Sequence, residues 1–186
     1  MKRILVVVDM QNDFVDGALG TPEAVSILPQ VAERIRSFDG DAIYVTFDTH
    51  SGDYMDTLEG RRLPVVHCQE GTGGWALAPA VSEALKDKPY RSVTKKTFGT
   101  FDIVKDLKEQ YPDEEIEMEL LGLCTDICVV SNALIIKAMF PDAQLSVDAR
   151  CCAGVTPESH AAALKTMQMC QIDVYYPINN VFGRKE

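Results

Sequence analysis

The chain has 186 residues, 46% hydrophobic and 25% charged, enough for one sizeable core in a single domain spanning 1–186. Its 18 Lys and Arg stand against 28 Asp and Glu, a net charge of −10 that repels phosphate backbones and argues against a nucleic-acid partner. No apolar run approaches the ~18 residues that cross a bilayer, and MKRILVVVDMQ meets Asp9 too early for a secretory signal, so a cytoplasmic protein with no membrane partner is expected.

In chain order, RILVVVD (3–9) predicts a buried strand. TPEAVSILPQVAERIRSF (21–38) predicts a helix with Thr21 as N-cap, Pro22 at the first helical position and Glu23 in the first turn. DAIYVTF (41–47) is a second strand and YRSVTK (90–95) a weaker third. Between them, 48–89 shows no clear element, and it holds two of the three histidines. A segment that long in a compact domain is usually a functional loop region. TFDIVKDLKEQY (100–111) is a short amphipathic helix, and EIEMELLGL (115–123) a fourth strand. DICVVSNALIIKAMF (126–140) is apolar nearly all round, which predicts a well-buried helix. AQLSVD (143–148) is a fifth strand, TPESHAAALKTMQMC (156–170) a helix with a second Thr-Pro-Glu start, and IDVYYP (172–177) a sixth strand.

Alternating strands and helices, with strands that are near-continuous apolar runs, imply an α/β fold: a parallel sheet with helices on both faces. Ligands bind such sheets beyond the carboxyl ends of the strands. Strand one ends in Asp9, strand two in Asp48 and strand three in Lys95, while strand four runs into GLCTDIC. Any one of these has an ordinary explanation, a turn aspartate or a solvated lysine with Lys96 beside it.

Six cysteines lie at 68, 124, 128, 151, 152 and 170. In a cytosolic chain they stay reduced, and their spacing does not match the usual zinc patterns. Most read as small buried hydrophobes. Cys128 differs, because it falls in the first turn of the helix after strand four. Unpaired N–H groups there favour an anion, so the thiol should ionise more easily, and the same groups could cradle an oxyanion. A cysteine that merely packs the helix start is the plainer alternative. A thiol nucleophile wants a base. His160 sits inside a helix and is expected to point away from any strand end, which leaves Asp9 as the base and Lys95 as the tuning cation.

In the long segment, DTHSGDYMDTLEGRRLPVVHC carries Asp48, His50, Glu59 and His67. Carboxylates with imidazoles suit zinc, manganese or iron, though ordinary loop polarity explains the same residues. Asp53 and Asp56 are alternative ligands.

VVVDMQNDFVDGAL, VTKKTFGTF, LLGLCTDICVVSNALIIKA and VDARCCAGVTPESHAAAL together resemble the isochorismatase-like cysteine hydrolases, which include the nicotinamidases, from about residue 4 to 175. The resemblance implies a three-layer, Rossmann-like α/β/α fold with strand order 3-2-1-4-5-6. It implies a catalytic triad of Asp9 as base, Lys95 as cation (Lys96 the fallback) and Cys128 as nucleophile. It also implies a non-proline cis peptide at Leu123–Cys124 and an oxyanion hole from the N–H groups of Cys124 and Cys128. With that strand order Lys95 starts ~10 Å from strand one, so the chain after strand three is expected to bend inward.

The resemblance further implies a divalent metal, Zn2+ first with Mn2+ or Fe2+ as alternatives, on Asp48, His50, Glu59 and His67. In nicotinamidases such a metal positions the ring nitrogen of nicotinamide. Phe14 would stack on the ring, and Phe98 or Phe101 would close the pocket. The reaction implied is hydrolysis of nicotinamide to nicotinate and ammonia through a thioester. Another small amide or carbamoyl substrate, and an idle metal-binding module, are the alternatives. The expected partners are a small-molecule amide and further copies of the chain in a homo-oligomer. Two positions depart from the pattern: Pro64, preceded by Leu63, stands where a bulky aromatic is common, and Gly99 where a serine is common.

Overall fold

The computed structural model describes residues 1–176. Six parallel strands form one sheet in the order β3-β2-β1-β4-β5-β6, with helices on both faces. The strands are β1 (Lys2–Val8), β2 (Ala42–Asp48), β3 (Arg91–Lys95), β4 (Ile116–Leu123), β5 (Gln144–Ala153) and β6 (Asp173–Tyr175). The helices are α1 (Asn12–Val15), α2 (Pro22–Ser37), α3 (Leu58–Arg62), α4 (Pro79–Leu85), α5 (Asp102–Gln110), α6 (Val130–Met139) and α7 (Pro157–Met169). No helix of the described residues is long and apolar enough to cross a membrane.

Local chemistry explains the element starts. Thr21 accepts a hydrogen bond from the Ala24 N–H ahead of Pro22. Thr156 does the same for Ser159, whose own hydroxyl accepts from the Thr156 N–H, a reciprocal capping box. The central strand β1 is buried on both faces from Ile4 to Val8, which is why its sequence is a continuous apolar run rather than an alternation.

Four expectations change. The segment 48–89 is not structureless: it contains a 3-10 turn (Tyr54–Asp56), α3 and α4. These pieces are too short to show a helical period. Strand β5 continues past residue 148 to Ala153, because a register shift opposite β4 lets Cys152 pair with Gly122 and Ala153 with Leu123. Cys151 and Cys152 are therefore buried strand residues. The helix expected from 126 begins as a π-turn (Thr125–Val129) before α6, and α6 buries one face only: Asn132, Ala133 and Ile136 are covered while Met139 is exposed. The sixth strand spans three of the residues expected for it; Pro177 lies outside the described residues.

Gly122 marks the closest approach of β4 to β1. It has φ +123°, and a Cβ there would stand 2.1 Å from the Val8 carbonyl oxygen. Both the dihedral and the space exclude a side chain. Gly122→Ala is expected to destabilise the protein by about 3 kcal/mol, read as a lower urea midpoint at unchanged slope. A change under about 0.5 kcal/mol would mean that the strand ends separate freely.

Candidate active site

The register brings the strand ends level. Val8 pairs with Thr46 on one side and Gly122 on the other, and Asp48 pairs with Lys95. Asp9, one residue past β1, takes a left-handed conformation (φ +47°), a strained state that aspartate tolerates better than most residues. Its N–H donates to the Thr46 hydroxyl at 3.1 Å, and that hydroxyl donates back to Asp9 Oδ1 at 2.6 Å. The second carboxylate oxygen meets Lys95 Nζ at 2.6 Å. The same ammonium lies 3.2 Å from Asp48 Oδ1 and donates to Cys128 Sγ at 3.4 Å. The inward bend expected after strand three is not needed. β3 pairs regularly with β2 as far as Lys95, and the extended lysine side chain makes the crossing.

These groups are all buried, and their protonation follows. Burial pushes the Asp9 pKa up, and the Lys95 charge only partly offsets it. Burial would lower the Lys95 pKa, but the charges of Asp9, Cys128 and Asp48 raise it, so the lysine is an ammonium. Burial also pushes the Cys128 thiol well up, Asp9 adds to this, and Lys95 opposes it. This direction runs against the easily ionised thiol expected at a helix start: at the π-turn, burial opposes ionisation of Cys128.

The turn carrying Cys128 is tightly formed. The Leu123–Cys124 peptide bond is cis. The Cys124 carbonyl accepts hydrogen bonds from the N–H groups of both Ile127 and Val129, one on each side of Cys128. Burial pushes the Cys124 thiol up to about 12.

Asp48, His50 and His67 converge within 4.8 Å of one another, all buried. His67 Nδ1 faces the Val65 carbonyl at 2.8 Å. A carbonyl only accepts, so that nitrogen carries a proton, and in the neutral ring Nε2 is then the nitrogen left to ligate. His50 Nε2 is buried without a hydrogen-bond partner although Asp48 Oδ2 is 2.9 Å away. Two imidazole nitrogens and a carboxylate oxygen aimed at one point, one of them orphaned, suit a divalent cation. Glu59 stands just outside the trio, with Oε1 3.8 Å from His50 Nε2. Asp53 and Asp56 are exposed and turn elsewhere.

A cavity of about 230 Å³ opens on Cys128, Asp48 and His67. Phe14, Leu63, Phe98, Ile127 and Val155 wall it, with Asp48, Glu59, His67 and Cys128 toward its floor. Phe14 also contacts the His67 ring, with centroids 5.5 Å apart. Phe101 is not among the lining residues. It is exposed ahead of α5, where its carbonyl accepts from Lys105. Leu63 occupies the wall in the region where an aromatic was missing.

Residues 3–175 match the Isochorismatase domain family. The chain belongs to the isochorismatase family. The uncharacterized isochorismatase family protein PncA of Bacillus subtilis (strain 168) is 28% identical over 174 residues, covering 88% of this chain and 93% of that protein. The crystal structure of nicotinamidase/pyrazinamidase PncA from Bacillus subtilis superposes with a TM-score of 0.84 at 28% identity, covering 95% of this chain and 100% of that one. The pyrazinamidase of Pyrococcus horikoshii in complex with zinc gives a TM-score of 0.78 at 25% identity, covering 94% of this chain and 98% of that one. The chain is thus an enzyme, a hydrolase whose structural neighbours are amide-hydrolysing members of its family.

In this isochorismatase-family hydrolase several supporting residues escaped sequence reasoning. Gln11 is buried and grips the backbone of Asp48, donating to its carbonyl at 2.9 Å and accepting from its N–H at 2.8 Å. Asp13 accepts from the Cys68 N–H at 2.7 Å and holds the chain beside His67. His160 was expected to face away from the strand ends. Instead its Nδ1 lies 2.8 Å from the hydroxyl of Thr125 in the π-turn, and a Cβ on Gly154, just past β5, would stand 2.9 Å from the His160 Cβ. Only one signal was available: Gln11 and Asp13 fall inside the VVVDMQNDF motif already quoted.

Proposed function

We propose that this hydrolase is a cysteine amidase acting on nicotinamide, yielding nicotinate and ammonia. The observation that carries the reading is the position of Lys95 Nζ, 2.6 Å from Asp9 and 3.4 Å from the Sγ of Cys128, a residue that lines the cavity. Asp9 takes the thiol proton, and the Cys128 sulfur bonds to the carboxamide carbon. The N–H groups of Cys124 and Cys128 hold the resulting oxyanion. Asp9 returns the proton to the amine nitrogen as the C–N bond breaks and ammonia leaves. Water, deprotonated by Asp9, then attacks the thioester. The C–S bond breaks, nicotinate departs, and the proton that Asp9 took from water passes to the Cys128 sulfur, restoring the thiol. Lys95 stays protonated throughout and balances the charge that moves between carboxylate and sulfur.

Asp48, His50 and His67 would hold a divalent ion, zinc first and manganese or iron(II) as alternatives, with Glu59 at hand as a further ligand or water anchor. Bound there, it would supply a Lewis-acid contact that orients a ring nitrogen. Phe14 and Phe98 would flank the ring. The lining residues include no arginine and no lysine, so a neutral substrate fits better than a carboxylate-bearing one. The second reading, another small neutral amide or carbamoyl compound, draws on Pro64 standing where an aromatic is common, with Leu63 before it in the cavity wall.

The test is ammonia release from nicotinamide and from a panel of aliphatic amides and carbamoyl compounds, alongside metal analysis of the same preparation. Nicotinamide is expected to lead in kcat/KM by about tenfold or more, as a ring filling an apolar pocket should, with close to one metal per chain. Stripping the metal with a chelator is expected to raise KM more than it lowers kcat, since orientation is its proposed part. Another amide leading the panel would transfer the proposal to that substrate; no amidase activity with metal in place would end it.

A further inference from the structure

Asn132 takes no part in the reaction above, yet it is buried at 0% exposure and uses its whole amide. Its Nδ2 donates to the Cys128 carbonyl at 2.8 Å and to the Phe98 carbonyl at 3.2 Å, and its Oδ1 accepts from the Thr100 N–H at 3.1 Å. One side chain on the nucleophile helix thus grips the loop after β3 on both sides of Gly99. The loop lies so close that a Cβ on Gly99 would stand 2.6 Å from the Ile135 side chain. The Phe98 ring itself is 45% exposed and walls the cavity.

An apolar residue would fill position 132 without the desolvation cost of an amide. The amide is satisfied only because it spans two elements. We propose that Asn132 is a positioning residue for substrate selection: it ties the Phe98 wall to the segment carrying Cys128 and so fixes the gap into which a flat ring slides. The inference rests on the proposed ring-amide reading and adds to it a residue that touches no substrate. The rigidity of the wall then comes from the nucleophile helix, not from packing of the exposed Phe98 ring. Amides with a ring long enough to meet Phe98 should depend on Asn132; an amide as small as acetamide should not.

The test uses the metal-loaded full chain and the variants Asn132→Ala, Phe98→Ala and their combination. For nicotinamide, Asn132→Ala is expected to raise KM about tenfold while kcat falls less than about threefold, the effect of losing positioning rather than chemistry. For acetamide, kcat/KM should stay within about twofold. The double variant should be no worse than Phe98→Ala alone, because the two residues act through one wall. Equal losses on both amides, or additive losses, would reduce Asn132 to a structural role and overturn the proposal. Should Asn132→Ala not fold, the wild type supplies the decision by amide hydrogen exchange. The Thr100 N–H is expected to exchange about 100-fold or more slowly than in an unstructured peptide, and slower still with nicotinamide bound. Exchange at the unstructured rate, or exchange that nicotinamide leaves unchanged, overturns the clamp. Absence of nicotinamide turnover by the wild type counts against the substrate reading; the exchange of Thr100 without ligand then decides the clamp by itself.

Discussion

Cys128→Ala is expected to lower nicotinamide turnover at least about 10⁴-fold, while metal content and thermal midpoint stay close to those of the wild type. The thiol is 5% exposed, within reach of the Lys95 ammonium, and under the influence of the Asp9 carboxylate. Truncating it removes the sulfur proposed to bond the carboxamide carbon and leaves Asp9, Lys95 and the trio of Asp48, His50 and His67 in place. Cys128→Ser is expected to fail nearly as badly, losing about 10³-fold or more. Asp9, even with its pKa raised by burial, is too weak a base for a hydroxyl. Acid quenching of the wild type during turnover should trap a mass increase on the peptide containing Cys128, the thioester. If the alanine variant kept more than about a tenth of wild-type activity, or no adduct formed, covalent catalysis by this residue would be refuted. Unchanged metal binding in an inactive variant separates lost chemistry from lost fold. It also tells the enzyme from a module that only binds metal.

Lys95→Met is expected to cost about 3–5 kcal/mol of stability as well as nearly all activity. In the wild type one ammonium compensates two buried carboxylates, at 2.6 Å from Asp9 and 3.2 Å from Asp48. Methionine keeps the length and the apolar stem but leaves Asp9, at 0% exposure, with the Thr46 hydroxyl as its side-chain partner. An uncompensated buried charge is the expensive outcome; removing both partners is far milder. Lys95→Met combined with Asp9→Asn should therefore recover about 1–3 kcal/mol relative to the sum of the single losses, with activity still absent. Urea unfolding of the four proteins closes the cycle. Strict additivity would show that the two charges do not depend on each other in the folded state, and Lys95 would lose its place as the charge balance of the site.

What could be read from one chain, and what needed the folded molecule, divide along a physical line. Burial leaves a periodic signature over neighbouring residues. Thus β1 as an unbroken apolar run, α2 and α7 with their Thr-Pro-Glu starts, and the alternation implying a parallel sheet were legible residue by residue. Asp9, Asp48, Lys95 and Cys128 were legible as a set because each stands at or past the end of a strand, and those ends share one rim. The convergence of Asp48, His50 and His67 was legible as a ligand list. Contacts between positions far apart carry no local pattern. Gln11 gripping the backbone of Asp48, Thr46 answering Asp9, His160 backing Thr125 and Asn132 holding Phe98 and Thr100 each pair residues more than 30 positions apart. Registers and side-chain reach alone bring them together. The surroundings of Cys128 belong with them: the sequence places it at a helix start that favours a thiolate, but the tertiary structure buries it beside the Asp9 carboxylate, and both push its thiol pKa up. Short helices such as α3 and α4 were invisible for a related reason, since elements of five and seven residues complete too few turns to repeat their own pattern and form because neighbouring structure covers them.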